Sequence, residues 1–233
     1  MMARKLTQGT FMDPIRQNLP VLLDGLRLTI QYSVVAIILM VAIGLVAALM
    51  RLSTIAPLRW IATGYVEIFR STPLLVQLFF IVLGLPAILP VNRWFGQLTY
   101  PILAAALTLS LNEGAYVTEI IRAGILGVDR GQKEAAQSIA MNGFQTMRYI
   151  VLPQAFKRMI PPLVNQAAQT IKDTSLLAPV GIAELVYKGQ IVIAETFASF
   201  AIWGLIAALY FILIFSLSKF SSYLERRLQV DKR

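Results

Sequence analysis

The chain has 233 residues, 57% hydrophobic and only 14% charged, with a net charge of +9 and neither Cys nor His. A soluble domain carries roughly 25% charged residues, so the composition points to a membrane rather than to a soluble enzyme. The missing Cys and His exclude disulfides, thiol nucleophiles, Cys/His metal sites and a His general base, and the acidic residues are scattered singly, so no catalytic residue, metal site or cofactor is expected on this chain.

Residues 1–25 are polar and mixed, and read as an extracytoplasmic N-terminal segment. The apolar run after Arg27 is longer than the roughly 7–15 residues of a cleaved signal core. A spanning helix needs about 20 apolar residues, because lipid offers no partner to open backbone. By that measure spans are expected near 27–50, 60–84, 98–121, 159–180 and 197–218. The fold class is all-α: a polytopic membrane domain over 26–219 with about five spans, then a tail at 220–233.

The first and fifth spans are plain, since Leu28–Met50 and Thr196–Ser218 are each 23 uncharged residues. The second is expected to break at its far end, at Pro86 and Pro90. It encloses Glu67 and Arg70, which either pair with each other or face a path. The third runs on into Glu113 and Glu119. The fourth holds Lys172 and Asp173, again either a structural pair or something functional. Charge at membrane depth must face a bundle interior, a partner or a watery path.

Lys and Arg set the orientation. With the N-terminus outside, thirteen of them fall on the inside, among them Arg51, Arg122, Arg158 and the tail residues Lys232 and Arg233. Five fall outside, namely Arg4, Lys5, Arg16, Arg93 and Lys188. The expected topology is N-terminus out, C-terminus in. The net charge is accounted for by that asymmetry; no basic stretch is interleaved with exposed aromatics, and no nucleic-acid partner is expected.

The single long inside connection, 122–158, reads as helical. Gly131–Ala140 holds good helix formers after a glycine. Asn142-Gly143 is a turn signal. A second short helix, Phe144–Val151, is expected to stop before Pro153. Small Ala135, Ala136 and Ala140 allow close approach of a partner. Apolar Ile139, Met141, Phe144 and Met147 suit a partner's groove. The plain alternative is a solvated connector.

The string Glu134-Ala135-Ala136, then Ala140, then Ile150-x-Leu152-Pro153 resembles the EAA loop of ABC-importer permeases. Ala140 stands where that family has Gly; alanine keeps the position small, and Gly143 is then the expected source of the bend. Three further blocks resemble the polar amino-acid (His/Glu/Gln/Arg/opine) branch: Glu67-Ile-Phe-Arg70-Ser-Thr-Pro73, Gly114-Ala-Tyr116-Val-Thr-Glu119-Ile-Ile-Arg122, and Pro161-Pro162-Leu163-Val-Asn165 with Lys172-Asp173-Thr174-Ser175-Leu176. The resemblance implies a permease subunit of a bacterial inner-membrane importer, type I in fold. It implies cytoplasmic ATPase subunits gripping Glu134, Ala135, Ala136, Ala140, Gly143, Leu152 and Pro153, with ATP and Mg held on those subunits. It implies a second permease, identical or homologous, and an extracytoplasmic solute-binding protein. The chain itself has no P-loop. A secondary transporter or channel, working without an ATPase, is the rival reading.

A zwitterionic amino acid needs a partner for each charge at span depth. Candidates are Asn112, Glu113 and Tyr116 on the third span, and Gln166, Gln169, Thr170 and Asp173 on the fourth, where helical spacing gathers the polar residues on one face. Interhelical glue is the competing role for each. Glu113, with no Lys or Arg three or four residues away, suits either a cationic side chain or any α-ammonium.

Overall fold

The computed structural model describes residues 13–228. Expectations on 1–12 and 229–233, including those for Arg4, Lys5, Lys232 and Arg233, lie outside the described residues. Everything regular among the described residues is helical.

Helix α1, Asp13–Arg51, is 39 residues long and begins well before Arg27, so half of the expected polar N-terminal segment is already helix. Its buried stripe runs Leu22, Gly25, Thr29, Ser33, Ala36, Met40, Gly44, Ala47. Steps of three and four residues put these on one face, and most are small. A Cβ on Gly44 would sit 2.5 Å from Val117, and one on Gly25 would sit 2.9 Å from the Leu185 backbone. Membrane helices associate by such close backbone approach, because lipid supplies no hydrophobic drive between them. The opposite face exposes Val34, Val35, Ile38, Val46 and Leu49.

Helix α2, Ala56–Ser71, and helix α3, Leu74–Ile88, meet at an angle of 107°. The sharp break therefore falls at Thr72-Pro73, which the sequence did not suggest; of the two prolines expected to break the far end, Pro90 does so, α3 stopping at Ile88 before it, and Pro86 does not. Pro86 lies inside α3, preceded by a π-helical stretch, Phe79–Gly84, that loosens the ladder ahead of the missing N–H. A short helix α4, Val91–Phe95, leads into α5, Thr99–Leu126.

Helix α5 is the centre of the molecule. Its lower half packs Val117, Ile121 and Ile125 against Met40, Val151 and Met159. Its upper half packs Tyr100, Ala104 and Ala105 against Leu78, Leu177 and Val180. Thr108, Ser110, Asn112, Glu113 and Thr118 are also buried along it.

Helix α6, Arg130–Ser138, is capped by Asp129, whose carboxylate accepts from the Gly131 N–H at 2.7 Å. The next helix, α7, runs Gly143–Val180, through a π turn at Thr146–Val151 and into a 3₁₀ stretch at Thr174–Val180. The expected short second helix ending before Pro153 is thus the foot of the fourth span itself. Pro153 falls at the first turn after the π stretch, where its missing N–H is tolerated. After a 49° bend comes α8, Leu185–Thr196, and then α9, Ser199–Leu228.

Two described helices, α1 and α9, are long and apolar enough to cross a membrane alone, and the bent pairs α2 with α3 and α7 with α8 bring the number to four. Helix α5, 28 residues long, carries its polar groups inward instead.

Candidate functional site

The Thr72-Pro73 break opens the site. Pro73 has no N–H to give the Phe69 carbonyl four residues back, and buried backbone needs a partner. Side chains supply it. Gln77 Nε2 donates to the Phe69 carbonyl at 3.0 Å, to the Thr72 carbonyl at 3.1 Å and to Thr72 Oγ1 at 2.6 Å. Asn112 Nδ2 donates to the same Phe69 carbonyl at 2.9 Å and to Gln77 Oε1 at 3.1 Å. The amide of Asn112, expected at a ligand, is thus engaged in holding the break against α5.

The break, α5 and α7 enclose a cavity of about 570 Å³ lined by Arg70, Ser71, Thr72, Pro73, Leu74, Asn112, Glu113, Tyr116, Gln166, Gln169 and Asp173. Six of the seven expected residues line it. The seventh, Thr170, is buried behind Glu113, donating to its carboxylate at 3.2 Å. Glu113 is 1% exposed and also accepts from Gln166 Nε2 at 2.5 Å. Asp173 accepts from Gln169 Nε2 at 3.0 Å.

On the far side, the Arg70 guanidinium lies 5.2 Å over the Tyr116 ring. Sequence reasoning gave Arg70 as a possible partner of Glu67, and Lys172 as one of Asp173. Among the described residues neither pair forms an ion pair. Arg70 and the backbone at Ser71–Leu74 are the cavity residues that sequence reasoning did not assign; the Ser-Thr-Pro string was the signal. The cavity therefore has two carboxyls on one wall, a guanidinium on another and amides between.

Below it, Glu119 on α5 accepts from Arg122 Nη2 at 2.9 Å and from Arg51 at the end of α1. In the N-terminal half of α1, Asp24 pairs with Lys188 at 3.2 Å.

The knob between α5 and α7 is built by two caps. Helix α6 ends with Met141 N–H donating to the Ala136 carbonyl at 3.1 Å and Ala140 N–H to Gln137 at 2.9 Å. This Schellman pair needs a left-handed residue between. That residue is Ala140, at φ 60°. The bend is thus at Ala140, correcting the assignment to Gly143, which is helical. Asn142 then starts α7 with a reciprocal capping box to Gln145. Ala136 is 3% exposed and faces its own chain, whereas Glu134, Ala135, Ala140 and Pro153 are exposed and Leu152 is half-buried. The apolar groups offered outward are Ile139, 73% exposed, and Phe144, 71% exposed, with Met147 and Tyr149 beside them.

Comparison with known proteins agrees with this architecture. Residues 40–230 match the family described as "Binding-protein-dependent transport system inner membrane component". The chain is 37% identical to the glutamine transport system permease protein GlnP of Escherichia coli (strain K12), over 91% of this chain and 94% of that one. It is 40% identical to the L-cystine transport system permease protein TcyB of Bacillus subtilis (strain 168), over 96% and 94%. Among solved structures, an amino acid ABC transporter with histidines superposes with a TM-score of 0.85 at 36% identity, covering 95% of this chain and 100% of that one. The inward-facing MetNI methionine ABC transporter shares the fold, with a TM-score of 0.67 at 17% identity over 93% and 99%. The chain belongs to the inner membrane components of binding-protein-dependent transport systems: it is an ABC-importer permease.

Proposed function

We propose that this permease carries a polar amino acid through the cavity between the Thr72-Pro73 break and the polar faces of α5 and α7. The cavity itself is the observation that carries the reading. About 570 Å³ lies inside the roughly 300–1,000 Å³ of small-molecule sites. Glu113 and Asp173 suit an ammonium, Arg70 suits a carboxylate, and Gln166 and Gln169 suit a polar side chain. The names of its relatives, glutamine and cystine permeases, support the same class of substrate.

ATP and Mg belong to separate cytoplasmic ATPase subunits that grip the α6–α7 knob through Ile139, Phe144 and neighbouring residues. A second permease subunit completes the path, and an extracytoplasmic solute-binding protein delivers substrate. The chain crosses the membrane about five times, as α1, α2 with α3, α5, α7 with α8, and α9, with its N-terminus outside. The pairing of Arg51 and Arg122 through Glu119, and of Asp24 with Lys188, supports this pattern of crossings, since each cluster gathers charges expected on one side.

Reconstitution tests it. The permease co-expressed with its ATPase and binding protein, in proteoliposomes, should take up a radiolabelled polar amino acid only with ATP present. Uptake at the same rate without the ATPase would replace this reading with a secondary transporter.

A further inference from the structure

A second cavity, of about 410 Å³, lies between the inner ends of the same two helices, lined by Glu119, Ile120, Ala123, Gly124, Gly127, Arg158 and Pro162. Its residues extend the helix faces that line the first cavity. On α5 the sequence of positions is Glu113 and Tyr116 above, then Ile120, Ala123 and Gly127 below. On α7 it is Asp173, Gln169 and Gln166 above, then Pro162 and Arg158 below. All steps are three or four residues, the spacing of a single face. From Gln169 to Arg158 is about 16 Å at 1.5 Å per residue.

The lower chamber has its own polar chemistry. Glu119, on its wall, already accepts from Arg51 and Arg122, and Arg158 lines the same cavity. Arg158 donates to the Gly127 carbonyl with one nitrogen. A guanidinium has five N–H donors, so its remaining ones are open to an anion. Acceptors come from the backbone of the same helix. Pro161 and Pro162 stand inside α7 and have no N–H for the carbonyls of Lys157 and Arg158 four residues back. Those carbonyls lie on the turn that carries Arg158.

We infer that this lower chamber is a second station on the translocation path, a release site in which Arg158 receives the carboxylate of the amino acid and the carbonyls left without an N–H partner by Pro161-Pro162 receive its ammonium. This rests on the importer reading above. The anion chemistry alone would also suit the phosphate of an anionic lipid, so the experiment separates the two sources.

The chain contains no Cys, so single cysteines report without background. Ala123→Cys reads the lower chamber, Ser71→Cys the upper one, and Phe211→Cys, on the exposed apolar face of α9, a lipid-facing control. Each is assembled with ATPase and binding protein in inside-out vesicles and treated with a membrane-impermeant cationic methanethiosulfonate. Ala123→Cys should react at least tenfold faster than Phe211→Cys. Added transported amino acid should slow both Ala123→Cys and Ser71→Cys severalfold. Adding Arg158→Gln should abolish protection at Ala123→Cys and leave that at Ser71→Cys. Ala123→Cys reacting as slowly as Phe211→Cys would overturn the proposal, as would slowing by phosphatidylglycerol vesicles but not by amino acid. Protection at Ser71→Cys without protection at Ala123→Cys overturns the release site and leaves the importer reading intact. Protection at neither overturns both.

Discussion

Thr29 and Glu184, 155 positions apart, are joined by a hydrogen bond of 3.3 Å inside the protein, and the Leu185 N–H donates back to the same Thr29 hydroxyl at 3.1 Å. Glu184 also accepts from the Tyr210 hydroxyl at 3.1 Å and, as the cap of α8, from the Tyr187 N–H at 2.8 Å. One fully buried carboxyl thus ties α1, α8 and α9 together. Glu184→Ala strands several buried donors, each costing about 1–3 kcal/mol. Thermal unfolding in detergent should move down by about 5–10 °C, and Glu184→Gln, which keeps an acceptor, by less. An unchanged midpoint in Glu184→Ala would remove the hub.

Close packing of α1 on α5 gives a second expectation. Gly44→Ala drives a methyl group into Val117, destabilising by about 1–3 kcal/mol. Val117→Ala opens that space, so the double variant should recover most of the lost stability. Simple addition of the two single effects would mean that the contact is not the cause.

At the knob, Ala140 holds a left-handed conformation that disfavours an L-residue by roughly 1–2 kcal/mol. Ala140→Gly should raise amide-exchange protection around Ile139–Asn142, and Ala140→Val should lower it. Equal protection in the two would count against a left-handed cap.

Docking separates two apolar positions that look alike in the sequence. Phe144→Asp alters an exposed side chain and should leave the melting temperature alone while the ATPase no longer co-purifies. Ala136→Leu alters a buried one and should lower the melting temperature as well. Retention of the ATPase by Phe144→Asp would place the contact elsewhere.

In the upper cavity, Glu113→Gln replaces an acceptor of two hydrogen bonds by a neutral amide. A charge-assisted bond contributes about 1.5–3 kcal/mol, so KM for uptake should rise by about ten- to a hundredfold. Uptake with an unchanged KM would exclude Glu113 as a substrate partner.

Much of this was legible in the sequence, for physical reasons. Lipid forces backbone to satisfy itself, so long uncharged runs such as Leu28–Met50 identify their helices without ambiguity. Polar residues on one face of an apolar helix must meet something polar, and that located Glu113, Gln166, Gln169 and Asp173 at one cavity. Proline was harder to read. Pro86, Pro153, Pro161 and Pro162 are all accommodated within helices, Pro86 after a π stretch and Pro153 at a first-turn position, while Pro73 breaks its span. What distinguishes Pro73 is tertiary: Gln77 and Asn112 are placed to take over the freed carbonyls. Likewise Ala136 and Ala140 look interchangeable as small residues, and only the turn geometry sends one inward and sets the other at φ 60°.

The unbroken course of α7 has a mechanical consequence. Phe144, on the outer face of the knob, and Asp173, on the cavity wall, belong to one helical rod. They are separated by about 44 Å at 1.5 Å per residue, so tilting the rod by about 5° about its foot carries the Asp173 end sideways by about 4 Å. That is more than the length of a hydrogen bond. A push too small to remodel the knob is therefore enough to carry Gln169 and Asp173 away from Arg70 across the cavity, with no relay of side chains in between.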